Sequence, residues 1–210
     1  MPLQAAKKLL RLDEAVGSFA VQHDITKVLD GLYVGGRGIA DDLLAMQSLA
    51  ITHVVNCTQD IPCYYDDSLE YLRVPLTDDP DTAIEAHFEI VVKFIRMYND
   101  AREMGQTCLV HCSRGMSRSA TFVLVYLVER HDMSVLEALQ YTRALRPVIS
   151  PNVGFMGKLL DLEQRLHQRC SVDLHKYRKD RYAAIEDLVV PSPANDVDEA
   201  AIYLNHVARH

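Results

Sequence analysis

The sequence predicts an α/β fold in which helices cover both faces of a mostly parallel sheet. Three observations predict it. Short β-prone apolar runs at 25–34, 52–57, 71–74 and 107–111 alternate with segments of helical periodicity. The runs at 52–57 and 107–111 read as buried strands, as parallel strands covered on both faces do. The stretch 120–128 is apolar almost all round, which places a helix at the centre of the fold.

Each element follows from local chemistry. In 5–19, Ala5, Leu9, Leu12, Val16 and Phe19 recur at three- and four-residue spacing and predict a short amphipathic helix. Asp30-Gly31 between two β-prone runs signals a hairpin. Gly35-Gly36-Arg37-Gly38 reads as a loop, and 40–49 as a helix with Asp41 and Asp42 in its first turn. Thr77-Asp78-Asp79-Pro80-Asp81 is a polar, turn-prone loop, and a long amphipathic helix is expected over 84–102. Ser134 with Glu137 three residues on is a capping box that opens a helix over 134–145. A further helix, 153–166, follows Pro151-Asn152. Beyond 170 the pattern changes. Lys176, Arg178, Lys179 and Arg181 cluster and read as a solvated helix face, Pro191-Ser192-Pro193 breaks the chain, and 195–207 fits a last short helix.

A chain of 210 residues suits one domain with extra segments, and it is long enough to bury a core without metal or disulfide staples. Its 49% hydrophobic and 24% charged residues exclude wholesale disorder. The net charge of −7 argues against nonspecific binding to nucleic acid or anionic membrane. No run of 18 apolar residues occurs, so no membrane insertion is expected. Asp13 and Glu14 interrupt any signal-peptide core, Pro2 excludes N-myristoylation, and Ala208-Arg209-His210 is not a prenylation box. Five cysteines (Cys57, Cys63, Cys108, Cys112, Cys170) are odd in number and not spaced as zinc knuckles. They read as reduced thiols of a cytoplasmic, or also nuclear, protein.

The chemistry concentrates in His111-Cys112-Ser113-Arg114-Gly115-Met116-Ser117-Arg118-Ser119, a strand end, a tight loop and a helix start. Backbone N–H groups from Ser113 to Arg118 can curl around one anion, at the positive end of the helix that begins near Ser117. Gly115 suits positive φ or a close backbone approach, and Arg118 folds back to offer a planar fork to two phosphate oxygens. The same field lowers the Cys112 thiol toward a neutral-pH thiolate aimed at the bound phosphorus. Ser119 is placed to hydrogen-bond the sulfur and help it leave, while His111 fits a positioner bonding to loop carbonyls. Singly these residues have bland readings: buried thiol, surface charge, turn glycine. Five fixed positions together arise by chance on the order of once in ten thousand chains of this size.

This loop resembles the signature of the cysteine-based protein tyrosine phosphatase superfamily, and Arg118-Ser119-Ala120-Thr121 resembles its dual-specificity branch. Leu32-Tyr33-Val34-Gly35, Ile51-Thr52-His53-Val54-Val55-Asn56, Val74-Pro75-Leu76-Thr77-Asp78 and Arg146-Pro147 through Phe155 are similar to that branch as well. The resemblance spans about 25–166 and implies a five-stranded twisted sheet, a phosphocysteine intermediate, no metal and no cofactor. It divides the chain into an N-terminal helical extension (1–24), a phosphatase domain (25–169) and a partly helical or flexible C-terminal extension (170–210). It also implies a general acid on a separate loop. Asp78 matches by its place, with Asp79 and Asp81 as rivals whose bland reading is turn chemistry. Asn152 resembles a residue that braces the phosphate loop, or it is simply a helix cap.

The chain lacks tryptophan, so the Trp-Pro-Asp acid loop of the larger classical tyrosine phosphatases is missing. Phosphoinositide phosphatases of this architecture typically carry lysines in the loop, where Ser113 and Met116 stand here. Arg114 is the only extra charge. The expectation is therefore an atypical dual-specificity phosphatase acting on phosphorylated protein, on phosphotyrosine and also phosphoserine or phosphothreonine. A phosphoinositide, glycan or RNA 5′-end phosphatase, or a phospho-binding module, are the competing readings. Oligomeric state is not legible.

Overall fold

Side chains along a strand alternate between the faces of a sheet, and here that period of two feeds two cores. The computed structural model describes residues 24–99 and 106–190. The expected helices at 5–19 and 195–207 lie outside the described residues. Strands β1 (Ile25–Leu29), β2 (Leu32–Gly35), β3 (Ile51–Asn56), β4 (Glu70–Arg73) and β5 (Thr107–His111) form one sheet in the order β1-β2-β5-β3-β4. β1 and β2 pair antiparallel across the Asp30-Gly31 turn, with Gly31 at φ 78°. The other three pairings are parallel. The mostly parallel five-stranded sheet is thus the one expected.

On β5, Cys108 and Val110 face the larger core while Leu109 faces the smaller one. The smaller side is closed by two short helices, α1 (Arg37–Ala40) and α2 (Leu43–Ser48). Their Ile39, Ala45 and Met46 meet Ile25, Tyr33, Ile51 and Val54. The larger side holds α3 (Phe88–Asn99), α4 (Arg118–His131), α5 (Val135–Leu145) and α6 (Val153–His167). α4 lies in the middle, with every residue from Arg118 to Val128 buried, as its all-round apolar sequence requires. α3, α5 and α6 all pack against it.

Two boundaries differ from expectation. The helix expected over 40–49 is split, and a turn of α1 forms within the supposed glycine loop. Asp42 accepts the Ala45 N–H at 2.9 Å, so it stands outside α2 as its N-cap. A short carboxylate that can satisfy an orphan N–H prefers the cap to the first turn. The segment from 84 begins as a 3-10 turn, Ile84–His87, before α3. The capping box of Ser134 and Glu137 is present in both directions.

Residues beyond 170 return to the same core. α7 (Leu174–Lys179) and a 3-10 turn (Ile185–Leu188) are joined by an antiparallel bridge between Val172 and Val189. Val172, Tyr177 and Leu188 are buried members of the larger core. The Tyr177 hydroxyl donates to the Pro151 carbonyl at 2.7 Å. Lys176, Arg178 and Lys179 are exposed, as a solvated face demands.

Candidate active site

β5 lies between β2 and β3, where the direction of chain progression across the sheet reverses. Such a point opens a crevice at the carboxyl ends of the strands. His111 ends β5 there, and α4 starts at Arg118 with Ser117 as its N-cap. The intervening loop is shaped from outside. Its Ser113 carbonyl accepts the Arg37 N–H at 3.1 Å, and its Met116 carbonyl accepts the Ser150 N–H at 2.9 Å. Arg146 donates to the Gly115 and Arg114 carbonyls, each at 3.0 Å, and is itself held by Asp24. Turning the carbonyls outward leaves the N–H groups to the interior. Gly115 sits at φ 64°, and a Cβ there would lie 2.8 Å from both the Gly35 carbonyl and the Arg146 guanidinium. Only glycine meets both demands.

Cys112 lies buried in this loop and accepts a hydrogen bond from Ser119 Oγ at 3.2 Å. Burial pushes its thiol up. The Ser119 hydroxyl, the Ser119 and Arg114 N–H groups and the Arg118 charge outweigh that, and the net shift is downward. Burial pushes the thiols of Cys108, on β5 itself, and Cys57, just past the end of β3, well up instead. His111 is buried and its pKa is pushed down to about 4, chiefly by burial, so its ring is neutral at physiological pH. The ring meets the Cys112 backbone, and Nδ1 has no hydrogen-bond partner among the described residues.

Arg118 turns back toward the loop, with Nη1 donating to the Leu76 carbonyl and Nη2 to Ser113 Oγ, both at 3.0 Å. Asp78 Oδ1 accepts from Ser117 Oγ at 2.6 Å and from Asn152 Nδ2 at 2.8 Å. Asn152 bonds on two sides. Its Oδ1 caps α6 through the Phe155 N–H, while its amide and N–H hold Asp78 and Ser117. Asp79 is occupied in a turn, accepting the Asp81 N–H at 2.9 Å. Beneath the loop, a Cβ on Gly154 would stand 1.9 Å from the Pro80 carbonyl, so α6 admits the Asp78 loop only through a glycine.

These side chains border a pocket of about 90 Å³ lined by Asp78, Cys112, Ser113, Arg114, Met116, Ser117, Arg118 and Arg181. Ser119 and Asn152 stand behind it as hydrogen-bonding supports. Neither Asp79 nor Asp81 lines it. Sequence reasoning missed Arg181, because one more arginine at the end of a basic run looks like a solvated face. Among the described residues, no three His, Cys, Asp or Glu side chains converge as a metal site requires.

The model of the family "Dual specificity phosphatase, catalytic domain" matches residues 32–165. The chain belongs to the dual-specificity phosphatase family. Within the protein tyrosine phosphatase superfamily it is of the atypical kind. Dual specificity protein phosphatase 14 of Homo sapiens is 37% identical over 150 residues, 71% of this chain and 74% of that protein. Dual specificity protein phosphatase 22 of Homo sapiens is 32% identical over 179 residues, 84% of this chain and 88% of that one. The crystal structure of DUSP15 superposes with TM-score 0.62 at 32% identity, covering 76% of this chain and 95% of that chain. This dual-specificity phosphatase is accordingly a protein phosphatase, and no helix among its described residues is long and apolar enough to cross a membrane.

Proposed function

We propose that this phosphatase hydrolyses phosphotyrosine, and phosphoserine and phosphothreonine, in proteins through a phosphocysteine intermediate on Cys112. The reading rests above all on a lowered thiol at the base of an anion-shaped loop whose opposite wall carries a carboxylate. The loop N–H groups and the Arg118 guanidinium bind the phosphoryl oxygens. The Cys112 thiolate attacks phosphorus; a P–S bond forms as the P–O bond breaks, and the departing oxygen takes the Asp78 proton. Water then attacks phosphorus, gives a proton to the Asp78 carboxylate, and the P–S bond breaks to release phosphate and thiolate. The Ser119 hydroxyl stabilises that departing sulfur. Ser113 and Met116, where lysines would suit a polyanionic headgroup, support a protein substrate over a phosphoinositide. The absence of disulfides among the described residues, with Cys57, Cys63, Cys108, Cys112 and Cys170 all free, fits a cytoplasmic or nuclear setting.

The test is acid quenching during turnover of a phosphopeptide labelled in its phosphoryl group. Label should appear on the Cys112 peptide of the wild type and be absent from Cys112→Ser, which keeps affinity for an oxyanion such as vanadate or phosphate. Normal turnover by Cys112→Ser sinks the covalent mechanism. Arg118→Lys should lose turnover too, because an ammonium cannot offer two parallel donors.

A further inference from the structure

Arg181 lies 16 residues beyond the end of the family match at 165, yet it borders the same pocket as Cys112 and Arg118. Its position is built rather than incidental. The Arg181 carbonyl accepts from the Arg143 guanidinium and from Ser150 Oγ at 3.2 Å. Arg143 also donates to the Ala183 carbonyl at 3.0 Å. Ser150 meanwhile bonds through its own N–H to Met116, so one residue ties both the phosphate loop and the Arg181 backbone. Below, Tyr177 and Leu188 anchor the segment in the core. The guanidinium stacks on the exposed Tyr182 ring, 5.3 Å from its centroid, and Nη2 donates to the Tyr182 hydroxyl at 3.2 Å. Among the described residues, neither Arg181 nor the exposed Arg114 is ion-paired with a carboxylate.

The pocket therefore has two tiers of positive charge. Arg118, buried, faces the reacting phosphoryl group. Arg181 and Arg114 border the opening with no carboxylate ion-paired to them among the described residues, in a chain whose net charge is −7. A neutral substrate flank gains nothing from them, whereas an anionic one meets fixed donors.

We propose that Arg181, together with Arg114, forms a second anion subsite that selects protein substrates bearing another negative group beside the phosphorylated residue. The inference rests on the phosphatase reading above. The chemistry recognised is a carboxylate or a second phosphate, held by charge-assisted hydrogen bonds. The subsite belongs to the segment after the matched catalytic region, so it distinguishes this chain from a phosphatase built of that region alone.

The experiment compares kcat/KM of the full chain for three otherwise identical tyrosine phosphopeptides whose neighbouring position is Ala, Glu or phosphothreonine. The wild type should prefer the two anionic peptides, chiefly through KM. Arg181→Ala should cut that preference about five- to tenfold, Arg181→Lys should retain part of it, and Arg181→Glu should invert it. The Glu and phosphothreonine arms tell which anion the subsite takes. Among the described residues the side chain of Arg181 bonds outward to Tyr182 while its carbonyl carries the clamp, and circular dichroism checks that each variant is folded. An unchanged preference in folded Arg181→Ala and Arg181→Glu overturns the subsite and leaves the phosphatase reading intact. Faster turnover of phosphoinositide vesicles than of every peptide overturns it as well. Failure of the wild type to dephosphorylate any peptide defeats the underlying reading itself.

Discussion

At the residue scale the site divides its labour among groups whose surroundings differ. Asp78 faces the pocket, whereas Asp79 is spent on a turn. General acid catalysis typically contributes about 10²–10⁴ in rate, and only when the departing oxygen needs a proton. Asp78→Ala should therefore slow a phosphotyrosine peptide by at least about a hundredfold, and an aryl phosphate with an acidic phenol far less. Equal slowing of both, read in kcat, would mean the carboxylate is misassigned. A second outcome concerns pH. In the proposed mechanism the reactive form of Cys112 is the thiolate, and its lowered pKa keeps that form abundant until pH falls through the lowered value. Alkylation by iodoacetamide should thus plateau below the ordinary thiol pKa of about 8.5. Ser119→Ala removes a donor that favours the anion, so the rising limb should move to higher pH, measured as inactivation rate against pH. The shape of the loop from His111 to Ser119 was legible because its members are contiguous and their spacing is itself the geometry. Arg146, which shapes that loop through two carbonyls, was read only as part of a resemblance, since its partners are 31 and 32 residues away.

At the scale of elements, the strands and helices were legible wherever a hydrophobic period or cap spanned several residues. The central helix and the Ser134 capping box are instances. The break between α1 and α2 was not, because one aspartate settled it by competing for a backbone N–H. The junction of α6 with the Asp78 loop is likewise a matter of one residue. Gly154 leaves room for Pro80, and Asn152 on the preceding cap holds Asp78. Lys158 and Glu85, 2.7 Å apart, add a partly exposed bridge between α6 and the turn that follows the loop. Gly154→Ala should displace the loop while adding helix propensity, so thermal stability should change little. If Asp78 is the acid as proposed, the kcat for phosphopeptides should fall about tenfold as that carboxylate loses its position. Crystals or amide exchange showing an unmoved loop, with kcat unchanged, would contradict this account of the glycine.

For the whole molecule, the sheet order sets the site before any catalytic side chain is chosen, since β5 ends where its neighbours diverge. Strand order of this kind follows from long-range pairing, which local periodicity does not encode; the resemblance supplied the strand count. The role of 171–190 escaped for a related reason. Tyr177 sits within Lys176-Tyr177-Arg178-Lys179, and nothing in that run announces a buried ring. Because Val172, Tyr177 and Leu188 share the main core, the segment should unfold with the domain. Leu188→Ala, at a fully buried position, should cost about 2–5 kcal/mol, and urea unfolding should stay a single transition at every probe. Two separate transitions would show that the segment is an independent unit.

The bonds that hold this loop from outside come from Arg37, Arg146 and Ser150 and go to its carbonyls, none of them through the Cys112 sulfur. Grip and chemistry are therefore separable by a single-atom exchange of sulfur for oxygen. In a cell carrying one intact and one such exchanged allele, the silent copy would occupy phosphorylated sites and shelter them from the working one. Its phenotype would be inherited as a dominant trait, with phosphorylation rising beyond what half the enzyme would explain.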